Sequence, residues 1–267
     1  MGALAFIEQE CEDPASPLFG VPESSLFAEF AIPDQARRVL EAVGAGERTH
    51  ANIAAVAGSA RGAIPSGSLS PLLRSMVEDK RVLALDLPLS TRPGKHGLYR
   101  VADTNLRLYL AMLRSAHELS RRGRPEAAFA VVQRRWTSWR GRAVEPLVRA
   151  SIELACTDGT LPWADAGVVG GWWNRQFDPE IDIVGADRAP VADRIVFGGS
   201  TKWLDTPFDG HDLASFTRAA AQVPGFVAGV SGALVVSLSG VTPDVEGAVE
   251  EVWGPDDIVD AWRRVEA

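Results

Sequence analysis

The chain has 267 residues, of which 46% are hydrophobic and 23% charged, and a net charge of −8. That length supports two modest domains with separate cores, and the composition is that of a globular rather than a disordered protein. No apolar run approaches the roughly 20 residues of a membrane helix and no signal peptide opens the sequence, so a cytoplasmic location without a membrane partner is expected. Cys11 and Cys156 lie far apart with no His or Cys at metal-ligand spacing, which reads as two free thiols in a reducing compartment.

The charge is distributed unevenly. Residues 1–33 carry six acids and no bases, residues 34–150 carry 20 Lys/Arg against 10 Asp/Glu, and residues 151–267 carry seven bases against 19 acids. Because screening limits each charge to about 10 Å, the basic middle argues for a nucleic-acid partner despite the acidic total.

Residues 1–33, with Pro14, Pro17, Pro22 and Pro33 among short apolar pieces, read as a connecting arm. A helix follows, capped by Asp34 and carrying Val39, Leu40 and Val43 on one face. Thr49 caps a short second helix, and a third begins at Ser68 or Ser70 with Leu69, Leu72, Leu73, Met76 and Val77 on its apolar side. Strands are expected at 81–85 and 98–101. Three helices followed by a two-stranded ribbon is the order of a winged helix-turn-helix, assigned to residues 34–102. On that reading Ser66, Ser68, Ser70 and Arg74 approach DNA from the third helix, with Lys80 and Arg81 behind them and Arg92 and Lys95 at the wing tip. Use of the same module for protein contact alone is the alternative.

Residues 103–138 read as a bridge of two helical segments, 103–122 and 126–136, rich in arginine. From 139 to 267 the expected order is a helix over 141–156, strands at 168–176, 180–185 and 194–203, a helix capped by Asp212, a strand or strand pair within 226–238, and a closing helix over 256–265. That order indicates an α/β domain with a mixed sheet.

Polar residues fall at telling places in this order. Glu145 lies in the first helix of the domain, Asp182 interrupts the apolar strand Glu180-Ile181-Asp182-Ile183-Val184, and Lys202 ends the stretch Gly199-Ser200-Thr201-Lys202-Trp203. Carboxylates hold a hard divalent ion, and a lysine beside them steadies phosphate charge, as metal-dependent nucleases require. Each has a plainer reading: Glu145 pairs with Arg142 or Arg149 one helical turn away, Asp182 forms a structural ion pair, and Lys202 snorkels at an edge. Trp172 and Trp173 read as core.

The stretches Gly97–Asp103, Gly141–Arg149, Trp172–Arg175, Glu180–Val184 and Gly199–Trp203, in that order, resemble the C-terminal part of the archaeal-type prokaryotic ATPases that carry domain of unknown function 234. The likeness runs from about Pro17 to the C-terminus. It implies a winged helix followed by a restriction-endonuclease-like domain of the PD-(D/E)xK type, normally preceded by an ATPase. No Gly-x-x-x-x-Gly-Lys-[Ser/Thr] occurs, so no nucleotide is expected, and a separate ATPase becomes a candidate partner. The pattern's Asp and Glu-x-Lys correspond here to Asp182 and Ser200-x-Lys202. A catalytic set of Glu145, Asp182, Ser200 and Lys202 is implied, with Glu145 and Asp182 as ligands for Mg2+ or Mn2+. Serine in place of a carboxylate removes one formal charge from the site. Three functions follow: a DNA-binding protein with a degenerate, weak or inactive nuclease core; a non-catalytic module docking on an ATPase or other protein; and an active metal-dependent DNA endonuclease.

Overall fold

The computed structural model describes residues 2–29, 34–58, 62–94 and 96–265, with the backbone alone for 25–29, 34 and 265. The fold is mixed α/β and divides into two compact units, Met1–Leu85 with Leu98–Trp139 and Asp86–Gly97 with Arg140–Ala267.

The first unit is mostly helical. It opens with α1 (Ala3–Glu10) and α2 (Pro17–Glu29), which correct the expected connecting arm. Ile7, Cys11 and Phe19 of this segment are buried, and Phe19 stacks on His117 with ring centroids 4.7 Å apart. The Ser120 hydroxyl donates to the Cys11 carbonyl (2.6 Å), and His117 Nε2 lies 2.9 Å from the Pro14 carbonyl. Burial of these apolar side chains outweighs the helix-breaking tendency of Pro22 inside α2.

Helix α3 (Asp34–Ala45) buries Val39, Leu40 and Val43; the side chain of Asp34, its expected cap, lies outside what is described. In α4 (His50–Val56) the Thr49 side chain accepts from the Asn52 N–H, as an N-cap does. Helix α5 (Ser66–Glu78) starts slightly earlier than the Ser68 or Ser70 expected, and its Leu69, Leu73 and Met76 fill one buried stripe at helical spacing. Strands β1 (Leu83–Asp86) and β2 (Leu98–Val101) pair in a two-stranded sheet.

Next come α6 (Thr104–Leu108), a single π-helical segment at Tyr109–Leu113 and α7 (Arg114–Ser120). Tyr109, Met112, Leu113 and Ala116 are buried in the first unit's core, so this stretch is packed structure and not a bridge. Helix α8 (Pro125–Thr157) is continuous over 33 residues, whereas two separate helices were expected. Pro146 lies inside it without ending it.

The second unit is built on a five-stranded sheet in the order β3 (Val168–Trp173), β4 (Glu180–Ala186), β5 (Ile195–Lys202), β6 (Gly232–Ser237), β7 (Glu251–Trp253). The β3–β4 and β4–β5 pairs are antiparallel, and the β5–β6 and β6–β7 pairs are parallel. The crossover from β5 to β6 contains α9 (Gly210–Ala220), as a parallel pair requires. The short α10 (Pro243–Glu246) precedes β7, and α11 (Pro255–Val265) closes the unit. Residues 226–231, expected to be strand, form turns, leaving β6 as a single strand. Among the described residues no helix is long and apolar enough to cross a membrane.

The loop expected to be a wing belongs to this second unit. Leu89 N–H donates to the Gly171 carbonyl (2.8 Å), Ala192 N–H to the Ser90 carbonyl (3.0 Å), and the Trp173 indole to the His96 carbonyl (2.6 Å). Leu89 itself is buried with Trp172 and Ile181. The loop therefore satisfies polar groups along the β3 edge, which would otherwise offer a template for aggregation.

Candidate functional site

Asp182 sits on β4 between Ile181 and Ile183, which are buried in separate core clusters, at the point where the β3–β4 register shifts. Ser200 and Lys202 share a face of the neighbouring β5, where side chains alternate with a period of two. All three line one cleft of about 740 Å3 in the second unit, together with Asp178, Glu180 and Asp212.

The floor of the cleft is internally satisfied. Asp182 Oδ2 accepts from the Thr201 N–H (2.8 Å) and from the Ser200 hydroxyl (3.2 Å). Burial pushes the Asp182 carboxyl above its ordinary pKa; the Thr201 amide, the Arg149 guanidinium and Ser200 oppose that rise, and Glu180 adds to it. Lys202 Nζ donates to Asp212 Oδ2 (2.5 Å) and to the Pro207 carbonyl (2.9 Å). The cleft lysine is thus held at the start of α9 rather than on Asp182.

Asp212 was expected to cap that helix. The cap is Asp209, whose side chain accepts from the His211 and Asp212 N–H groups, while Asp212 accepts from the Asp209 N–H in a capping box. These backbone donors hold the Asp209 carboxyl below its usual range. The spacing Asp209-x-x-Asp212 carried this signal in the sequence.

Glu145 is not part of the cleft lining. Its carboxylate lies 3.8 Å from Arg149 Nη2 one turn along α8, the helical pairing that was its plainer reading. Arg149 in turn donates from Nε to the Asp182 carbonyl (2.6 Å), so the helix touches the site through the backbone of β4. Arg149 escaped sequence reasoning as a site residue because only its i, i+4 relation to Glu145 was visible. Its room is made by Gly171, where an added Cβ would sit 2.5 Å from Arg149 Nη2.

Of the two expected metal ligands, Asp182 accepts two hydrogen bonds on the cleft floor, and Glu145 lies beside the same Arg149 guanidinium that reaches the Asp182 carbonyl. Among the described residues no group of three or more His, Cys, Asp or Glu side chains is arranged to hold a metal ion. With Asp182 Oδ2 already accepting two hydrogen bonds and a hydroxyl in place of a second strand carboxylate, these donors are a poor fit for Mg2+ or Mn2+.

In the first unit Ser66, Ser68, Arg74, Lys80 and Arg81 are exposed along and just after α5. Ser70 is half-buried, its hydroxyl 3.1 Å from His50 Nε2, which turns it inward. Arg121, Arg122, Arg124, Arg134 and Arg135 are exposed in the same unit, and Arg135 donates to the Ala111 carbonyl (2.6 Å). Arg92 is exposed, but on the loop that belongs to the second unit, and Lys95 lies outside the described residues. The buried Trp172 and Trp173 are core, as expected. Both cysteines are buried free thiols, and burial raises Cys11 to about 11 and Cys156 to about 12, so neither is a ready nucleophile.

Comparison with family models, with curated proteins and with solved structures finds no match to this chain.

Proposed function

We propose that the protein binds DNA through its helical first unit, which we read as a winged helix-turn-helix, and that its second unit is a degenerate nuclease-like domain of the PD-(D/E)xK type. The observation that carries the reading is that Asp182 on β4 and Ser200 and Lys202 on the adjacent antiparallel β5 line one cleft. The order helix, three antiparallel strands, helix and parallel strand supports the same domain type. Where the pattern has a carboxylate, Ser200 supplies a hydroxyl that donates to Asp182. The site is therefore weak or inactive as a nuclease, and Mg2+ or Mn2+ binds it weakly at best. DNA recognition rests on the exposed Arg74, Lys80 and Arg81 after the α5 face, with Arg121, Arg122 and Arg124 adding positive charge.

A second reading, a non-catalytic module docking on a separate ATPase, is favoured by one feature of the second unit. Leu147 on α8 and Val259 and Trp262 on α11 are exposed, and the Trp262 indole is fixed to Ser151 on α8 (2.9 Å). Fluorescence anisotropy with duplex DNA across a salt series separates the two. Replacing Arg74, Lys80 and Arg81 by Ala should flatten the log–log salt slope by about 1 for every cation that neutralises a phosphate. Parent protein that binds no DNA at low salt sinks the DNA reading and leaves the docking one. Plasmid incubated with Mg2+ or Mn2+ beside a Lys202→Ala control tests the core; cleavage that depends on Lys202 would establish an active endonuclease instead.

A further inference from the structure

We infer that Asp212 is an intramolecular plug that keeps Lys202 from an incoming phosphate, so that the cleft takes a phosphorylated nucleotide end only when this ion pair opens. The inference rests on the nuclease-like reading of the cleft and concerns how that site is held off.

Lys202 carries three N–H donors, and two of them are spent inside the protein, on Asp212 Oδ2 and on the Pro207 carbonyl. Its side chain is only 16% exposed and that of Asp212 30%, so the pair is sheltered from water and salt on the cleft wall. Asp212 cannot simply swing away, because the same Oδ2 accepts from the Asp209 N–H and completes the capping box of α9. Opening the pair therefore costs a helix-cap hydrogen bond as well as an ion pair. The alternative partner for Lys202 is close in kind: a phosphate oxygen and a carboxylate oxygen are both anionic acceptors of short, charge-assisted bonds. Asp212 thus holds the place that a phosphate would take. Among the described residues the other cation lining the cleft is Arg218, whose Nη2 donates to Ser215 Oγ (3.0 Å).

The sequence offers a convenient handle. Its only lysines are Lys80, Lys95 and Lys202, so amine acetylation followed by mass spectrometry reads Lys202 against two internal references. The probe is the 5′-phosphorylated dinucleotide pTpT, too short to span several backbone contacts. In Asp212→Asn, which keeps an oxygen acceptor for the Asp209 N–H, Lys202 should acetylate faster than in the parent. Calorimetry should then find pTpT bound about tenfold more tightly, the scale of one charge-assisted hydrogen bond regained. Adding Lys202→Gln to Asp212→Asn should erase that gain. Asp212→Ser, which also retains a cap acceptor, repeats the measurement should the Asn variant fold poorly. A folded Asp212 variant with freely acetylated Lys202 and no gain in pTpT binding overturns the inference, as does a gain that survives Lys202→Gln. Neither result touches the binding of long DNA by the first unit, which the salt series reads separately.

Discussion

At Gly171 a single methyl group would press on the arginine that contacts the Asp182 backbone. An alanine Cβ there would lie 2.5 Å from Arg149 Nη2, 3.0 Å from Arg149 Cζ and 3.1 Å from the Ile181 carbonyl. The guanidinium is the only one of these that can move, but Arg149 Nε is bonded to the Asp182 carbonyl at 2.6 Å. Gly171→Ala therefore forfeits a hydrogen bond from a charged donor, about 1.5–3 kcal/mol. Reduced freedom of the unfolded chain returns about 0.4–1 kcal/mol, leaving a net loss of about 1–2 kcal/mol. Urea denaturation of the parent, the two single variants Gly171→Ala and Arg149→Ala, and the double variant measures this as a coupling energy. With Arg149 already truncated, the added methyl should cost little. Equal costs for Gly171→Ala in both backgrounds would refute the reasoning and shift the blame to the Ile181 carbonyl.

Phe197 is fully buried and stacks on Trp163 with centroids 4.3 Å apart, so Phe197→Ala should cost about 3–5 kcal/mol in chemical denaturation. Thr49→Ala removes the side-chain acceptor of the α4 cap and should cost about 1 kcal/mol by the same measurement. Asp182 gives a pH signature. Its folded pKa is raised, so the folded state holds this proton more tightly than the unfolded chain, and stability falls as pH climbs from the ordinary aspartate range through the folded value. Denaturation curves against pH should show that slope in the parent and lose it in Asp182→Asn, which should be the more stable protein at neutral pH and lose its advantage in acid.

What sequence could reveal of this molecule divides along the line between local and non-local causes. The run Glu180–Val184 announced its strand because Ile181 and Ile183 alternate with acids, and Asp182 stood out as a carboxylate in apolar company. Thr49, Asp103 and the α5 stripe were equally local. Strand β7 escaped because it is three residues long and borrows its order from β6. The continuity of α8 was hidden by Gly141 and Pro146, whose usual meaning as helix breakers is overridden once Val148 and Ile152 are buried. The docking of the 86–97 loop on the β3 edge depends on residues some 80 positions away and has no local signature. The site shows the same split: Asp182, Ser200 and Lys202 were found by strand pattern and resemblance, whereas the grip of Asp212 on Lys202 needed the return of α9 beside β5.

The single π turn at Tyr109–Leu113 sets the rotational phase of everything after it in the first unit. An α-helix turns by about 100° per residue, so one residue more or fewer redirects a whole helical face. His117 and Ser120, one and two turns beyond the bulge, face the Pro14 and Cys11 carbonyls only in the present phase. Removing one residue from the π turn would leave the composition and the helix almost untouched. It would also swing both anchors away from the link between α1 and α2, so that these helices keep their place through a frame offset stored about a hundred positions downstream.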